Sequence, residues 1–541
     1  MALILLAVLG CGQTTREDLL AGNFGNVDRS PPKPITPDDF RVKGTSSILS
    51  WSASAGASRY TVDIAQDASF SQPMAGSPFV SNEASLEVAF ADANTYFWRV
   101  RANTTEAGRF SDIRKVHVLG GAMRVFCPST TATCSNAGRY GTKNFPYEVI
   151  KDTLAEAKGS GVAVHVAARS GGGANLFYAE RITLLEGVSI LGGYDGMSWQ
   201  RDVIANKTEI RHDSDRVLIG DFLAGTADYS IDGFTITSSA TSGSPAVIYL
   251  QNVSASLTIS GNTIQASTAA NSPVAISNVS SSPKILRNAI FGGTGASTSV
   301  AISNTSGSNP LIANNTIFGG AATIVTTVGI SHSWGSSSTI LNNTISGGTG
   351  NPSYAISIQD TASHPIVENN ILFTSGVSVN RYCIYEAVNG AKVGSLQNNN
   401  FFDCDQSTNG GFYRPGGSAA LKFMCSDGKP GSAGGCSSGN DVAQGTTAGN
   451  TVVNNAGGQL FVNLNGPDGL PETITDNDWH LNPAALSICP VLYGARDRSD
   501  QLGDDRDKNA RSAVLPASGV CLGNVTNSGA AGWSMGAYER D

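Results

Sequence analysis

Between residues 232 and 404 short runs of β-branched and aliphatic residues alternate with Asn, Ser, Thr and Gly at a steady interval. One phrase recurs as Gly261-Asn262-Thr263-Ile264, Arg287-Asn288-Ala289-Ile290, Asn314-Asn315-Thr316-Ile317, Asn342-Asn343-Thr344-Ile345, Asn369-Asn370-Ile371-Leu372 and Asn398-Asn399-Asn400-Phe401. Its second residue advances by 26, 27, 28, 27 and 29 positions. A second phrase, a small residue followed by Ile, recurs at Ile248, Ile276, Ile302, Ile330, Ile356 and Ile384, in steps of 28, 26, 28, 26 and 28. Two phases sharing one period define a repeat, and the apolar runs lack the 3.6-residue spacing of helices. The pattern predicts stacked β-coils, in which each position lies on its own image about 4.8 Å along the axis. The recurrent Ile then fills the interior. Asn262, Asn288, Asn315, Asn343, Asn370 and Asn399 form a ladder where the coil turns a corner, since Asn tolerates left-handed backbone and its amide bonds the Asn above and below.

The flanks follow other periods. Over residues 38–119 a period of two runs through Ile48-Leu49-Ser50-Trp51, Tyr60-Thr61-Val62-Asp63-Ile64, Leu86-Glu87-Val88 and Tyr96-Phe97-Trp98-Arg99-Val100-Arg101, with turn residues between, which predicts a small β-sandwich. Between Pro146 and Gly159 the spacing of Tyr147, Val149, Ile150, Leu154 and Ala157 predicts an amphipathic helix that caps the open end of the coil stack. The first coil strand is expected at Val162-Ala163-Val164-His165-Val166.

The N-T-I and A-I-S phrases resemble those of bacterial right-handed parallel β-helix proteins, the pectin-lyase-like superfold. Trp51 and the Tyr96-x-Trp98-x-Val100 run resemble a fibronectin type III domain, in which Trp51 would be the core indole and Tyr96 would tie the strand corner. Gly192-Gly193-Tyr194-Asp195 with Trp199 and Arg201-Asp202, Asp478-Trp479-His480-Leu481, and Ser534-Met535-Gly536-Ala537-Tyr538-Glu539 resemble phrases of large secreted β-helix proteins, including surface lipoproteins. The expected fold is all-β: a fibronectin type III-like sandwich over 38–119, then a right-handed parallel β-helix over 122–541 of about 11 or 12 coils with an N-terminal capping helix.

Charge and cysteine usage narrow the setting. With 14% charged residues, a net charge of −8 and a pI near 5.3, the 541-residue chain has no electrostatic basis for binding nucleic acid. Residues 1–10 form an apolar run too short to span a bilayer as a helix, and Val8-Leu9-Gly10-Cys11 resembles the bacterial lipobox. That resemblance implies a signal peptide over 1–11, lipidation of Cys11, export and a lipid anchor in a membrane; Gly12 and Gln13 supply no Asp for inner-membrane retention. Residues 12–37 read as a Pro-rich tether. Eight further cysteines fall into the neighbouring pairs Cys127 and Cys134, Cys383 and Cys404, Cys425 and Cys436, and Cys489 and Cys521, none with metal-site spacing. Four disulfides in an oxidising compartment are the simplest reading.

Catalysis finds little support. Lyases and hydrolases on this fold need converging carboxylates, but between Tyr229 and Val367 the only charged residues are Asp232, Lys284, Arg287 and Asp360. Those two acids lie several coils apart. His332 and His364 sit in expected turns without a carboxylate to orient them. A cluster of Asp403, Asp405 and Glu386 is what a polysaccharide lyase or glycoside hydrolase would require here. Ca²⁺ could engage Asp500, Asp504 and Asp505, although the neighbouring Arg496, Arg498 and Arg506 favour internal ion pairs. No catalytic residue, cofactor or metal is therefore assigned. The favoured function is a non-catalytic cell-surface or outer-membrane lipoprotein, serving adhesion or recognition of polysaccharide and cell-surface glycan through the β-helix face. A polysaccharide-cleaving enzyme and a structural stalk are the alternatives.

Overall fold

A computed structural model describes residues 30–36, 39–103, 108–128, 133–169, 176–322, 324–374, 380–402, 404 and 411–416, with short segments between 423 and 481. The chain divides into two units, Met1–Gly120 and Gly121–Asp541.

The first unit is a sandwich. One sheet orders Pro34–Thr36, Ser46–Trp51 and Ser85–Ala89; the other orders Phe40–Val42, Arg114–Val118, Thr95–Asn103, Arg59–Ala65 and Phe79–Ser81. Period-two alternation turns Leu49, Val62, Ile64, Trp98, Val100 and Val116 inward, where all are buried. The Trp51 ring packs edge-on to Tyr60 at 5.3 Å and lies 6.4 Å from Trp98. The Tyr96 hydroxyl donates to the Asp92 carbonyl, 3.2 Å away, across the corner that precedes its strand.

The second unit is a parallel β-helix of three sheets. Sheet 1 has eleven strands, from Ala122–Val125 to Thr447–Ala448, whereas sheets 2 and 3 have nine each among the described residues. Sheet 2 runs from Thr208–His212 to Thr451–Val453, and sheet 3 from Ile182–Thr183 to Gly411–Arg414. Each coil visits the sheets in that order, as Leu257–Ser260, Thr263–Gln265 and Val274–Val279 do, before returning to sheet 1 at Lys284–Leu286. Strands pair only with those of neighbouring coils, which gives the topology of a right-handed parallel β-helix.

Strict register explains the repeat. Ile248, Ile276, Ile302, Ile330, Ile356 and Ile384 are directly paired in sheet 3. Ile259, Ile285, Ile312 and Ile340 do the same in sheet 1, and Ile264, Ile290, Ile317 and Ile345 in sheet 2. None of these side chains reaches solvent. Each buried Ile contributes about 1.5–3 kcal/mol, so the three rows are the principal cohesive element of the stack.

The Asn ladder stands between sheets 1 and 2. The backbone N–H of Asn262, Asn288, Asn315, Asn343 and Asn370 each donates to Oδ1 of the next ladder Asn at 2.9–3.0 Å, ending on Asn399. Asn399 in turn donates to Asn450, one rung beyond the periodic region. One expectation is corrected here, because the left-handed backbone belongs to the preceding residue. Gly261, Arg287, Asn314, Asn342, Asn369 and Asn398 have φ between 52° and 61° and make the bend, which frees the ladder Asn to stack.

A second correction concerns the helix. Ile150–Ser160 buries Ile150, Thr153, Leu154 and Ala157 and ends at Gly161 in the left-handed conformation. It follows the first solenoid strand, Ala122–Val125, which pairs in parallel with Ala163–Ala167. The chain therefore begins the stack one strand earlier than alternation alone suggested. The helix's first amides, which have no intrahelical acceptor, are met by Glu180, whose carboxylate oxygens accept from Ile150 N at 3.0 Å and Lys151 N at 2.8 Å.

Candidate functional site

The outward rows of the sheets are where a partner can reach side chains. In sheet 3 one outward row reads Tyr249, Ser277, Ser303, Ser331, Ser357, Tyr385 and Arg414, and a parallel one reads Val274, Val300, Val328, Tyr354 and Tyr382. Ser357, Val328, Tyr354 and Tyr382 are buried against their neighbours, which leaves the other positions open to a partner. The rows end in aromatic groups. Tyr385 stacks on Tyr354 with centroids 4.2 Å apart, Tyr382 lies 5.7 Å from Tyr385, and the Arg414 guanidinium covers Tyr385 at 4.9 Å. At the other end Arg216 sits over Tyr249 at 3.6 Å. Two cation–π pairs thus bracket a row of four serines, five strand steps or about 24 Å from Tyr249 to Tyr385. Burial among the three rings pushes the Tyr354 hydroxyl up, and the neighbouring phenols Tyr385 and Tyr382 reinforce the shift. The arrangement offers ring faces, hydroxyls and two stacked cations. It offers no acid–base pair among the described residues.

The two repeat-region acids are structural. Asp232 stands on the outward row of sheet 1, where it pairs with Arg201 and accepts from Ser260 Oγ at 2.5 Å. Arg201 also donates from Nε to the Gly192 carbonyl at 2.9 Å, so the Gly-Gly-Tyr-Asp turn is fastened onto sheet 1. Tyr194 in that turn stacks on His165 at 4.3 Å and packs against Trp199. Burial, with Arg124 and Arg201 nearby, pushes the His165 imidazole down to about 4. Asp360 lies in the turn after Ser353–Ile358, accepting from Ala362 N at 2.8 Å and Ser363 N at 3.0 Å. Burial pushes its carboxyl up, but the amide of Ala362, the Ser363 hydroxyl and the amides of Trp334 and Gly335 outweigh that and hold it below the ordinary value.

His332 requires correction. It ends strand Thr326–His332 with its side chain inside the stack, in the row of Asn278 and Asn304. Its Nε2 lies 2.6 Å from Ser338 Oγ and 3.4 Å from Asn304 Nδ2, and burial pushes the imidazole down to about 4. His364 is set in a turn, its Nδ1 3.0 Å from the Lys392 carbonyl. Glu386 is likewise internal at 2% exposed, bonded to the Tyr413 hydroxyl and, at 3.2 Å, to the Gly416 amide. Burial pushes it up to about 7. A carboxyl enclosed in this way cannot join a surface cluster with loop acids. Asp403 and Asp405 lie outside the described residues, as do Cys11, Cys425, Cys436, Cys489, Cys521, Asp500, Asp504 and Asp505.

Two disulfides are present among the described residues. Cys127–Cys134 closes a loop beside the first solenoid strand, and Cys383–Cys404 ties strand Arg381–Glu386 to the segment after Asn400–Phe402, with Cα separations of 5.7 and 5.4 Å. No metal-holding group of His, Cys, Asp or Glu occurs among the described residues.

Sequence reasoning passed over the tyrosines of sheet 3. Their signal was available: Tyr354 and Tyr382 replace Val, and Tyr385 replaces Ser, at positions that the Ile period aligns.

No family model and no curated protein matches this chain. Among solved structures, a family 28 exopolygalacturonase of Yersinia enterocolitica is 11% identical, with 70% of this chain and 93% of that one covered and a TM-score of 0.21. Pectate lyase PelI from Erwinia chrysanthemi, in complex with tetragalacturonic acid, is 10% identical over 62% of this chain and 88% of its own, with a TM-score of 0.13. The A-module of the Azotobacter vinelandii mannuronan C-5 epimerase AlgE6 is 12% identical over 52% and 95%, with a TM-score of 0.21. The β-helix assignment rests on the pairing of the strands.

Proposed function

We propose that this chain is an exported, lipid-anchored, non-catalytic surface protein that recognises glycans through the outward face of its β-helix. Lipidation at Cys11, a tether over 12–37 and a fibronectin type III-like spacer over 38–119 would present that face away from an outer membrane or cell surface. The observation that carries the reading is the pair of outward rows on sheet 3, which combine tyrosine rings and a serine line with no paired carboxylate among the described residues. Such a surface suits many shallow hydrogen bonds with stacking at intervals, and it lacks the groups that cleave a glycosidic bond. Disulfides fit an oxidising compartment.

The test is a glycan-binding and depolymerisation screen of the full chain, run with Ca²⁺ and with chelator. Binding without turnover, weakened by Tyr385→Ala, is expected. Release of unsaturated or reducing ends would overturn the non-catalytic reading.

A further inference from the structure

The turn from sheet 3 back to sheet 1 stacks into a ridge along the solenoid. Phe222, Asn252, Ser280, Ser306, Trp334, Asp360 and Val388 follow one another on it, each two residues past a paired strand position from Gly220 to Glu386. The first five share a left-handed backbone, with φ of 52°, 53°, 50°, 58° and 56°. Asn suits that conformation, and small Ser tolerates it better than a bulky ring does. For Phe or Trp it costs about 1–2 kcal/mol. The rings recover little of that by burial, since Phe222 is 69% exposed and Trp334 78% exposed. The fold has no use for an aromatic side chain at either place. Strain held at an exposed position points to a role in contact with a partner.

The ridge is also stiff. The Gly307 amide donates to the Trp334 carbonyl at 2.9 Å, and Ser280 and Asn252 bond the coil above through their backbone N–H groups at 3.1 and 3.0 Å. Asp360, one coil on, directs its carboxylate at amides that include those of Trp334 and Gly335, so its charge is spent on holding the turn.

We propose that this ridge docks a neutral polysaccharide lying along the solenoid axis, with Trp334 and Phe222 stacking on the C–H faces of two pyranose rings. Asn252, Ser280 and Ser306 then bond the hydroxyls between them. The inference rests on the glycan-binding reading above and names the ligand class and the contact residues. Three observations select that class. The two rings stand four strand steps apart, about 19 Å, and the coil spacing of about 4.8 Å is close to the rise of one unit in an extended hexose chain. The ridge positions between the rings are Asn252, Ser280 and Ser306, whose amide and hydroxyl groups match the polar rim of a pyranose as the rings match its apolar face. A protein partner would call for a contiguous apolar patch. Finally, the ridge carries no Lys or Arg, so a uronic acid polymer would find no counter-charge on it.

The experiment is titration calorimetry of the full chain with cellohexaose, xylohexaose, mannohexaose and hexagalacturonate. The variants are Trp334→Asn, Phe222→Asn and Trp334→Phe, each with its urea midpoint measured. Asn is the residue that the coil next to Phe222 uses at this position, and at Trp334, between Ser306 and Asp360, it suits the same left-handed backbone. We expect a neutral hexasaccharide to bind, about ten-fold or more weakly to each Asn variant, and nearly as well to Trp334→Phe. The Asn variants should be at least as stable as the parent. Neutral binding that survives both Asn substitutions would overturn the ridge while leaving glycan recognition standing. Tightest binding of hexagalacturonate would overturn the neutral class. A clear loss of stability in Trp334→Asn would make the indole structural and sink the proposal. Failure of every oligosaccharide to bind would remove the glycan reading and this inference with it.

Discussion

Replacing Asn343 by Ala tests whether the ladder is a structural spine. Its Oδ1 accepts the Asn315 backbone N–H at 3.0 Å and Asn315 Nδ2 at 2.9 Å, while its own Nδ2 donates to the carbonyls of Ile312 at 2.8 Å and Leu341 at 2.9 Å. The site is fully buried. Truncation leaves the Asn315 N–H without its acceptor and takes a donor from the Ile312 carbonyl. At about 1–3 kcal/mol for each buried group left short, the loss is about 2–6 kcal/mol. Asn262 provides the internal comparison. At its end of the ladder Oδ1 accepts the Phe234 N–H at 3.0 Å and Nδ2 donates to the Ile231 carbonyl at 2.9 Å. Among the described contacts no side-chain amide reaches this Oδ1 as Asn315 Nδ2 reaches Asn343, so Asn262→Ala should cost somewhat less. Ser303→Ala, on the outward row of sheet 3, should stay within about 0.5 kcal/mol. A solenoid need not unfold in one step, so urea melts should be read alongside hydrogen exchange of the Asn315 amide. Asn343→Ala behaving like Ser303→Ala, or costing less than Asn262→Ala, would refute the account.

Two further outcomes follow from the interior. Because burial lifts Glu386 from 4.5 to about 7, the native state holds this proton more tightly than the unfolded chain does. The resulting stability is complete below pH 4.5 and is lost as pH rises through about 7, a loss on the order of 3 kcal/mol. Glu386→Gln stays neutral and keeps an acceptor for the Tyr413 hydroxyl, so its urea midpoint should change less between pH 5 and pH 8 than the parent's; parallel curves would contradict the assignment. Gly319 lies where a Cβ would come 2.3 Å from the Gly347 carbonyl oxygen, so Gly319→Ala should lower the thermal midpoint by the equivalent of about 1–3 kcal/mol or more. Gly159, on the helix with nothing within 4 Å of the added carbon, should instead gain up to about 1 kcal/mol as Ala, and equal effects at the two sites would show that stacking distance is not the cause.

The interior of the solenoid was legible because stacking repeats one environment. Ile276, Ile302, Ile330 and Ile356 occupy the same pocket in successive coils, so the residue recurs and the period can be counted. Asn450 escaped notice because it falls 51 residues after Asn399, although it continues the same hydrogen-bonded row. The first solenoid strand was missed for a different reason. Ala122–Val125 and Ala163–Ala167 are separated by the disulfide loop and the helix, and pairing at that distance leaves no local pattern. Glu386 and His332 looked like surface chemistry because charged and polar side chains usually stay in water. Register alone shows that they continue an inward row through Asn278 and Asn304.

A parallel β-helix separates the residues that make the fold from those free to meet a partner, since inward and outward rows run side by side on the same strands. Selection for stacking then regularises the inward rows and the turns, and a departure from a row's habit demands its own physical reason. Glu386 departs inward and is answered by the Tyr413 hydroxyl and the Gly416 amide, a closed structural solution. Asp232 departs outward and is answered by Arg201. Tyr385 departs from a serine row and gains Tyr354 and Arg414 as neighbours, so packing accounts for part of its presence. Trp334 departs from a row of Asn and Ser, keeps its left-handed backbone and remains 78% exposed. Of these departures it is the one whose side chain the fold leaves without compensation, and that is why the search for a ligand should begin there.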